Sequence, residues 1–566
     1  MYNDMQATIA TPMAPTVPEA RIEALDVVRG FALLGIFLMN IEFFNRSMHG
    51  IGEGMPLGLT GANWWASWFV SYFVQGKFWT IFSLLFGMGF AVMLTRAERA
   101  QRDFLAPYMR RILALAVFGA AHFIFLWAGD ILFSYAVGAG ALLILLYGRW
   151  KAILIGLVVL IAIGCAPSLH RVFGIAVSLA VIALLSLYMR DEGFFTIGQR
   201  QYPRFSFVLF AIGVVASVAA VVLWLLPDAP QDLRLPITLL AFFNLLYSVL
   251  SAKYRNPVSL RSIRLGVTLY TTGALLMTIF GAVQYYMPHE APAAAATVVT
   301  DTAKTSKPVT KAANSSVDKA AEKKADDARH LTERLDEARK ETHILSSGSY
   351  LEGVLMRAGH FPEKAANDTG FAMILMAMFL MGNWFVRSGV MENTGAHLPL
   401  FRKLALYGLP VGIGLGLAGS AITMSHIPGD EFDGFQFARS LAMLGNLPAC
   451  MGYVGMVVLM LHSRSALAGI RVLAPVGRMA LTNYLLQSLL CTWVFYGYGL
   501  GYWGLERAWQ VAFVFTVFAV QVAFSHWWLS RYRFGPMEWL WRAFTYRTTP
   551  AMRLGTVAKG GAALAG

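Results

Sequence analysis

Apolar and polar positions fall along this chain in long blocks. Runs of roughly 16 to 24 mostly apolar residues recur, close to the length that crosses a bilayer, and short links between them carry most of the charge. The pattern predicts helical spans at roughly 28–44, 77–95, 111–127, 131–147, 151–166, 172–189, 205–226, 234–252 and 264–287. Five more follow a polar interval, at roughly 370–388, 402–424, 438–461, 476–499 and 508–530, giving about fourteen. The fold class expected is therefore all-α, a polytopic transmembrane helix bundle of about 14 spans. Trp64 to Gly76, aromatic with few charges, fits a helix lying in the outer interface better than a full span.

Composition sharpens that picture. Of 566 residues, 57% are hydrophobic and only 14% charged, and the net charge is +14. Basic residues cluster in alternate links: Arg96, Arg99, Arg102, Arg110 and Arg111 in one, Lys253, Arg255, Arg261 and Arg264 in another, Arg464, Arg471 and Arg478 in a third. Such clusters mark cytoplasmic loops, so the basicity reads as topology and not as a nucleic-acid surface. Links without basic residues, AGD at 128–130 and PGDEFDGF at 428–435, are expected outside, which puts both termini in the cytoplasm. MYNDMQATIATPMAPTVPEA has neither a basic start nor an apolar core, so no cleavable signal is expected there. The three cysteines lie in apolar runs without metal-ligand spacing, and no metal or permanently bound cofactor is expected.

The chain divides into a transmembrane region 1–150, further spans 151–287, a polar extracytoplasmic segment 288–366, a second transmembrane region 367–546 and a tail 547–566. The polar segment is rich in Ala, Lys, Glu and Asp and cannot bury a core of its own. Its first part reads as a flexible linker, and Val317 to Thr342 as an exposed helix with pairs such as Asp336 and Lys340. Gly408, Gly412 and Gly416 recur every four residues and predict a smooth face for close helix contact; FGMGF at 86–90 predicts another.

Few polar residues interrupt the apolar runs, and these are the candidates for chemistry. Asp130 follows Gly129 just before the span at 131, where an N-cap belongs. A sharp reversal there also folds its carboxylate back toward His122, which would fix the imidazole tautomer and prepare a general base. Asp26 and Arg29, three apart near the inner end of the first span, form either a local ion pair or part of a binding site. Asn40 lies about 16 Å further out at helical pitch, where it could meet His122 and donate to an oxyanion, or simply bond a neighbouring helix. Asn483 and Gln487, at i,i+4, line a cavity or satisfy each other's neighbours across a helix contact. Glu538 and Arg542 with Trp539 and Trp541 fit a helix at the inner interface.

Five stretches together, LDVVRGFALLGIFLMNIEFF, GKFWTIFSLLFGMGF, AHFIFLWAGDILFSYA, GRMALTNYLLQSLLCTWVFY and GPMEWLWR, resemble the bacterial YeiB family of inner-membrane proteins, which carries domain of unknown function 418. That family is in turn distantly similar to integral-membrane acyltransferases such as the heparan-α-glucosaminide N-acetyltransferases, matched here by Asp26, Arg29, Gly30 and Asn40. The resemblance implies an acyl-CoA co-substrate entering from the cytoplasm and a small-molecule or glycan acceptor on the far side. The histidine that follows the asparagine in those enzymes has no matching residue, since only His49 stands nearby; His122 is the expected base. On this reading Arg29, Arg110 and Arg111 hold the phosphates, His122 and Asp130 move the proton, and Asn40 steadies the oxyanion. The alternative is a proton-coupled transporter or flippase of a small amphiphile, with His122 and Asp130 as its relay.

Overall fold

Fourteen apolar stretches do form helices, yet not all are spans. The computed structural model describes residues 22–48, 54–56, 58–166, 172–226, 229–286, 329, 332–423 and 433–554. In chain order the helices are α1 (Glu23–Asn40), α2 (Gly61–Phe69), α3 (Lys77–Arg99), α4 (Leu105–Ala121), α5 (Leu132–Tyr147), α6 (Trp150–Gly164), α7 (Val172–Arg190), α8 (Arg204–Leu225), α9 (Gln231–Tyr254) and α10 (Arg261–Tyr286). There follow α11 (332–347), α12 (Tyr350–Arg387), α13 (Leu398–Lys403), α14 (Leu409–Thr423), α15 (Phe435–Leu461), α16 (Ala474–Arg478), α17 (Ala480–Phe495), α18 (Arg507–Leu529) and α19 (Pro536–Tyr546). Among the described residues, 11 helical stretches are long and apolar enough to cross a membrane. The expected spans at 131–147, 151–166 and 476–499 fall short, because α5, α6 and α17 hold only 16, 15 and 16 residues. The chain is an all-α polytopic bundle in a lipid bilayer.

At the centre stands α12, 38 residues long and so about 57 Å at helical rise. Its stretch from Leu375 to Met381 is wholly enclosed, each residue 0% exposed. Glycine permits that enclosure. A Cβ on Gly87 of α3 would lie 2.2 Å from the Phe379 carbonyl oxygen, and one on Gly382 of α12 would lie 2.1 Å from that of Leu84, so the two backbones touch at both points. Gly408 and Gly412 pack the same way on α15, against Pro448 and Ala449; Gly416 instead faces Tyr72 and Lys77. Within FGMGF the expectation splits: Gly87 makes the contact, whereas Gly89 has nothing within 4 Å.

Outer helices keep apolar faces that no part of the chain covers. Val215 and Leu225 of α8 are 70% and 74% exposed, as lipid contact requires. The aromatic stretch 64–76 is α2 plus a π-turn at Val70–Val74, broken from α3 by Gly76 with φ +82°. The link after α7 holds a hairpin that the hydropathy pattern did not reveal, β1 (Phe194–Ile197) against β2 (Arg200–Pro203), antiparallel around Gly198.

The polar segment is less detached than its composition suggests. Its expected linker, from 288 to 328, lies outside the described residues. On α11, Asp336 pairs with Arg339 at 3.1 Å and not with Lys340 as expected. Glu341 accepts hydrogen bonds from the Ser47 hydroxyl and the Met48 amide, and the Gly497 amide donates to the Leu345 carbonyl. These bonds fasten α11 to the ends of α1 and α17. The helix that carries the expected span at 370–388 begins already at Tyr350, behind a Ser349 and Glu352 capping box.

Candidate functional site

His122 sits where α4 gives way to a π-turn, His122–Leu126, a distortion that often marks functional positions. The turn's loose carbonyls are held by α12: the Tyr350 hydroxyl donates to the Phe125 carbonyl at 2.9 Å and Arg357 Nε to that of Ile124 at 2.9 Å. After Gly129 the chain reverses, and Asp130 does both things expected of it. Its carboxylate accepts the Leu132 and Phe133 amides at 3.2 and 2.8 Å, capping α5, and Oδ1 also meets His122 Nδ1 at 2.9 Å. The His122 and Asp130 side chains are 1% and 0% exposed. A carboxylate can only accept, so it holds the Nδ1 proton in place and leaves Nε2 with its lone pair.

That free nitrogen faces a residue that sequence reasoning did not single out. Ser488 Oγ lies 2.9 Å from His122 Nε2, and Ser488 is itself buried. A lone serine in an apolar helix gives no signal of its own; only its place one turn after Tyr484 brings it here.

Beside this trio ends a cavity of about 530 Å³, walled by α1, α3, α4, α5, α16, α17 and α19. Tyr484, Ile131 and Leu132 form its deep end, next to Ser488 and Asp130 along the chain. Opposite, seven arginines and two carboxylic acids line it: Arg29, Arg96, Arg102, Arg111, Arg478, Arg533 and Arg542, with Asp26 and Glu538. Between the two ends the wall is apolar and aromatic, including Phe82, Phe86 and Met93. Arg111 on the cavity wall and His122 beyond it are separated by about 16 Å of helical rise along α4.

The arginines are held in different ways. Arg111 stacks on Trp541, its guanidinium 3.8 Å from the ring centroid, and the Trp541 indole donates to the Arg111 carbonyl at 3.0 Å. Arg29 pairs with Asp26 at 3.0 Å. Arg478 keeps its Nε buried without a partner among the described residues, an unmet donor at the cavity wall. Close backbone contact brings Arg29 and Arg478 together: a Cβ on Gly477 would lie 1.9 Å from the Asp26 carbonyl oxygen, and one on Gly30 2.2 Å from that of Leu473.

Glu538 serves structure first. From α19 it accepts the Leu481 and Thr482 amides at 2.7 and 3.1 Å and the Thr482 hydroxyl at 2.6 Å, and so caps α17 from another part of the chain. Burial raises its carboxyl pKa above the ordinary range, against the pull of those hydrogen bonds.

Of the residues expected to act, the structure gathers His122 and Asp130 at the deep end, with Asp26, Arg29 and Arg111 around the cavity. It places others elsewhere. Arg110 donates to the Thr545 carbonyl at 2.9 Å and does not line the cavity. Asn40 stands one turn beyond Ile36, the last α1 residue on the wall, and bonds neither His122 nor Asp130. Asn483 and Gln487 turn to α18: Asn483 Nδ2 donates to Ser525 at 3.0 Å, and Gln487 Nε2 to Gln521 at 2.9 Å. His49 lies outside the described residues.

The chain is thus a multi-pass helix bundle with an internal cavity beside a buried histidine, aspartate and serine. The family described as "Protein of unknown function (DUF418)" matches residues 385–548, which span α13 to α19. Along most of its length the chain is similar to "Uncharacterized protein YxaH" of Bacillus subtilis, at 26% identity over 542 residues, covering 94% of this chain and 96% of that protein. It is similar also to "Uncharacterized protein YeiB" of Escherichia coli, at 24% identity over 537 residues and 92% and 96% of the two chains. A shorter match, 35% over 128 residues, covers 22% of this chain and 34% of an uncharacterized 39.9 kDa protein of Bacillus acidopullulyticus. No solved structure matches significantly. Residues 385–548 thus match the DUF418 model, and the chain as a whole is similar to YxaH and YeiB along more than nine-tenths of its length.

Proposed function

We propose that this protein is an integral-membrane acyltransferase, which takes an acyl group from cytoplasmic acyl-CoA and passes it to a small-molecule or glycan acceptor of the cell envelope. One observation carries the reading: a single cavity has arginines at one end and an oriented histidine beside the other. Arginine forks suit phosphate, the apolar wall suits a pantetheine arm and acyl chain, and His122 with its proton fixed on Nδ1 suits a general base. The arginine-bearing links are those assigned to the cytoplasm by charge, which puts the donor's mouth on the inner face of the inner membrane and both termini in the cytoplasm. Asn40, half-buried and off the cavity, has no part in this chemistry, and Arg96, Arg102, Arg478, Arg533 and Arg542 share the role first given to Arg110.

Thermal unfolding of the purified protein tests the donor. Acyl-CoA should stabilise the folded state by mass action, and free CoA less, with the gain reduced in Arg29→Ala and Arg111→Ala. Release of CoA thiol in the presence of envelope extract should depend on His122. Absence of both stabilisation and thiol release would overturn the assignment and favour proton-coupled movement of an amphiphile through the same cavity.

A further inference from the structure

The hydrogen bond between His122 and Ser488 goes beyond a general base waiting for an acceptor. Three side chains from two distant parts of the chain stand in line, Ser488 Oγ to His122 Nε2 at 2.9 Å and His122 Nδ1 to Asp130 Oδ1 at 2.9 Å. Each piece is fixed by something other than the trio. Asp130 is tied by two amides of α5, His122 by a π-turn whose carbonyls α12 holds, and Ser488 by its place inside α17. The order of donors and acceptors follows. With the imidazole neutral, Asp130 accepts from Nδ1, Nε2 accepts, and the Ser488 hydroxyl donates to it. A hydroxyl whose proton already points at a basic nitrogen is an activated nucleophile.

The surroundings agree. Tyr484, one turn before Ser488, has its ring 5.1 Å from that of His122, lines the cavity, and has no acceptor for its hydroxyl proton among the described residues. Its hydroxyl is therefore a donor available to an oxyanion that develops at the deep end. A serine used only for packing needs no such arrangement; its usual partner in a helix is the carbonyl four residues back, and here that contact, to Tyr484, is the longer one at 3.4 Å.

We propose that Ser488 is a covalent nucleophile and that acyl transfer passes through an ester on its Oγ. The inference rests on the acyltransferase reading for its donor, and on the geometry alone for its nucleophile. In the first half-reaction Ser488 Oγ adds to the thioester carbonyl carbon while His122 Nε2 takes the hydroxyl proton. The carbon–sulfur bond then breaks, the departing thiolate receives that proton, and the acyl group remains on Ser488. In the second, an acceptor hydroxyl or amine adds to the ester carbonyl, His122 takes its proton, and Ser488 Oγ leaves and is reprotonated. No oxidant, reductant or metal is needed for the balance.

Two probes separate this step from the identity of the donor. A long-chain fluorophosphonate, which phosphonylates activated serines without any acyl donor, should modify the full-length protein at Ser488, located by peptide mass spectrometry. Modification should vanish in Ser488→Ala and fall at least a hundredfold in His122→Ala, with melting curves showing that both variants are folded. Palmitoyl-CoA with the wild-type protein should leave an acyl group on the same peptide, labile to hydroxylamine at neutral pH only after Ser488→Cys converts the ester to a thioester. Wild-type protein that resists the fluorophosphonate at Ser488 overturns the nucleophile. So does undiminished acyl transfer by Ser488→Ala, which would leave direct transfer to the acceptor and the acyltransferase reading intact. Phosphonylation of Ser488 without any stabilisation by acyl-CoA supports the nucleophile and removes the CoA donor instead.

Discussion

Gly89 offers the cleanest way to block the cavity without touching its chemistry. It lies on the cavity wall in the middle of α3, and a Cβ added there meets no atom within 4 Å. Gly89→Phe is therefore expected to direct its ring into the cavity. Its helix propensity alone favours the change by a few tenths of a kcal/mol, since glycine is the poorest helix former after proline. The folded state should be as stable as the parent or slightly more so. Binding should not survive. A ligand present at 100 times its Kd stabilises the parent by about 2.7 kcal/mol; a hundredfold weaker ligand at the same concentration gives only about 0.4 kcal/mol. The assay is the shift in melting temperature with acyl-CoA, read on the parent and the variant together. Gly87→Ala is the control, two residues away, where the new methyl would sit 2.2 Å from the Phe379 carbonyl oxygen. That variant should lose about 1–3 kcal/mol of stability and keep the ligand shift. If Gly89→Phe keeps the full shift, ligand does not occupy this cavity and the argument from its lining fails.

Three further outcomes are expected. Asp130→Asn removes the group that fixes the histidine proton, so turnover should drop by about 10⁴-fold while stability falls by about 1 kcal/mol for the weakened helix cap; activity within tenfold of the parent would show that His122 needs no orientation. Arg111→Ala should weaken donor binding at least tenfold and Arg110→Ala should leave it unchanged, because only Arg111 faces the cavity; equal effects in a binding titration would sink the distinction. Glu538 has its carboxyl pKa raised by burial, so the folded state holds that proton more tightly than the unfolded chain. Its share of stability is complete below the ordinary carboxylate range and is lost as pH rises toward the folded value. Glu538→Gln should flatten that part of the curve of melting temperature against pH, and an unchanged slope would assign it to another group.

Helix positions were legible because apolar runs near membrane length are a strong pattern, and every expected run is helical. Span lengths were less so: the division of the expected run 476–499 into α16 and α17, and the end of α17 at Phe495, depend on backbone contacts that hydropathy does not encode. The histidine and aspartate could be paired from sequence because they flank one turn, eight residues apart. Ser488 could not, since 366 residues separate it from His122 and one serine in an apolar helix looks like any other. Asn483 and Gln487 drew attention by their polarity, and α18 supplies Ser525 and Gln521 as partners for their amide nitrogens, information that lies in another helix. The basic links were legible as topology, yet nothing in their spacing shows that α3, α4, α16 and α19 would bring their arginines to one mouth. Asp336 chose Arg339 over Lys340 where both lie within reach along one helix, a choice of rotamer that spacing leaves open.

The capping of α17 by Glu538 has a consequence for how the protein comes into being. His122 and Asp130 are synthesised early, Ser488 near the end, and the residue that fastens the start of the serine's helix later still. During translation the first half can insert and fold around an imidazole that has nothing to activate. A ribosome that stalls, or a message cut short before α19, leaves a membrane-bound bundle without a competent centre. The start of α17 is therefore left without its carboxylate cap until α19 has been made and has docked.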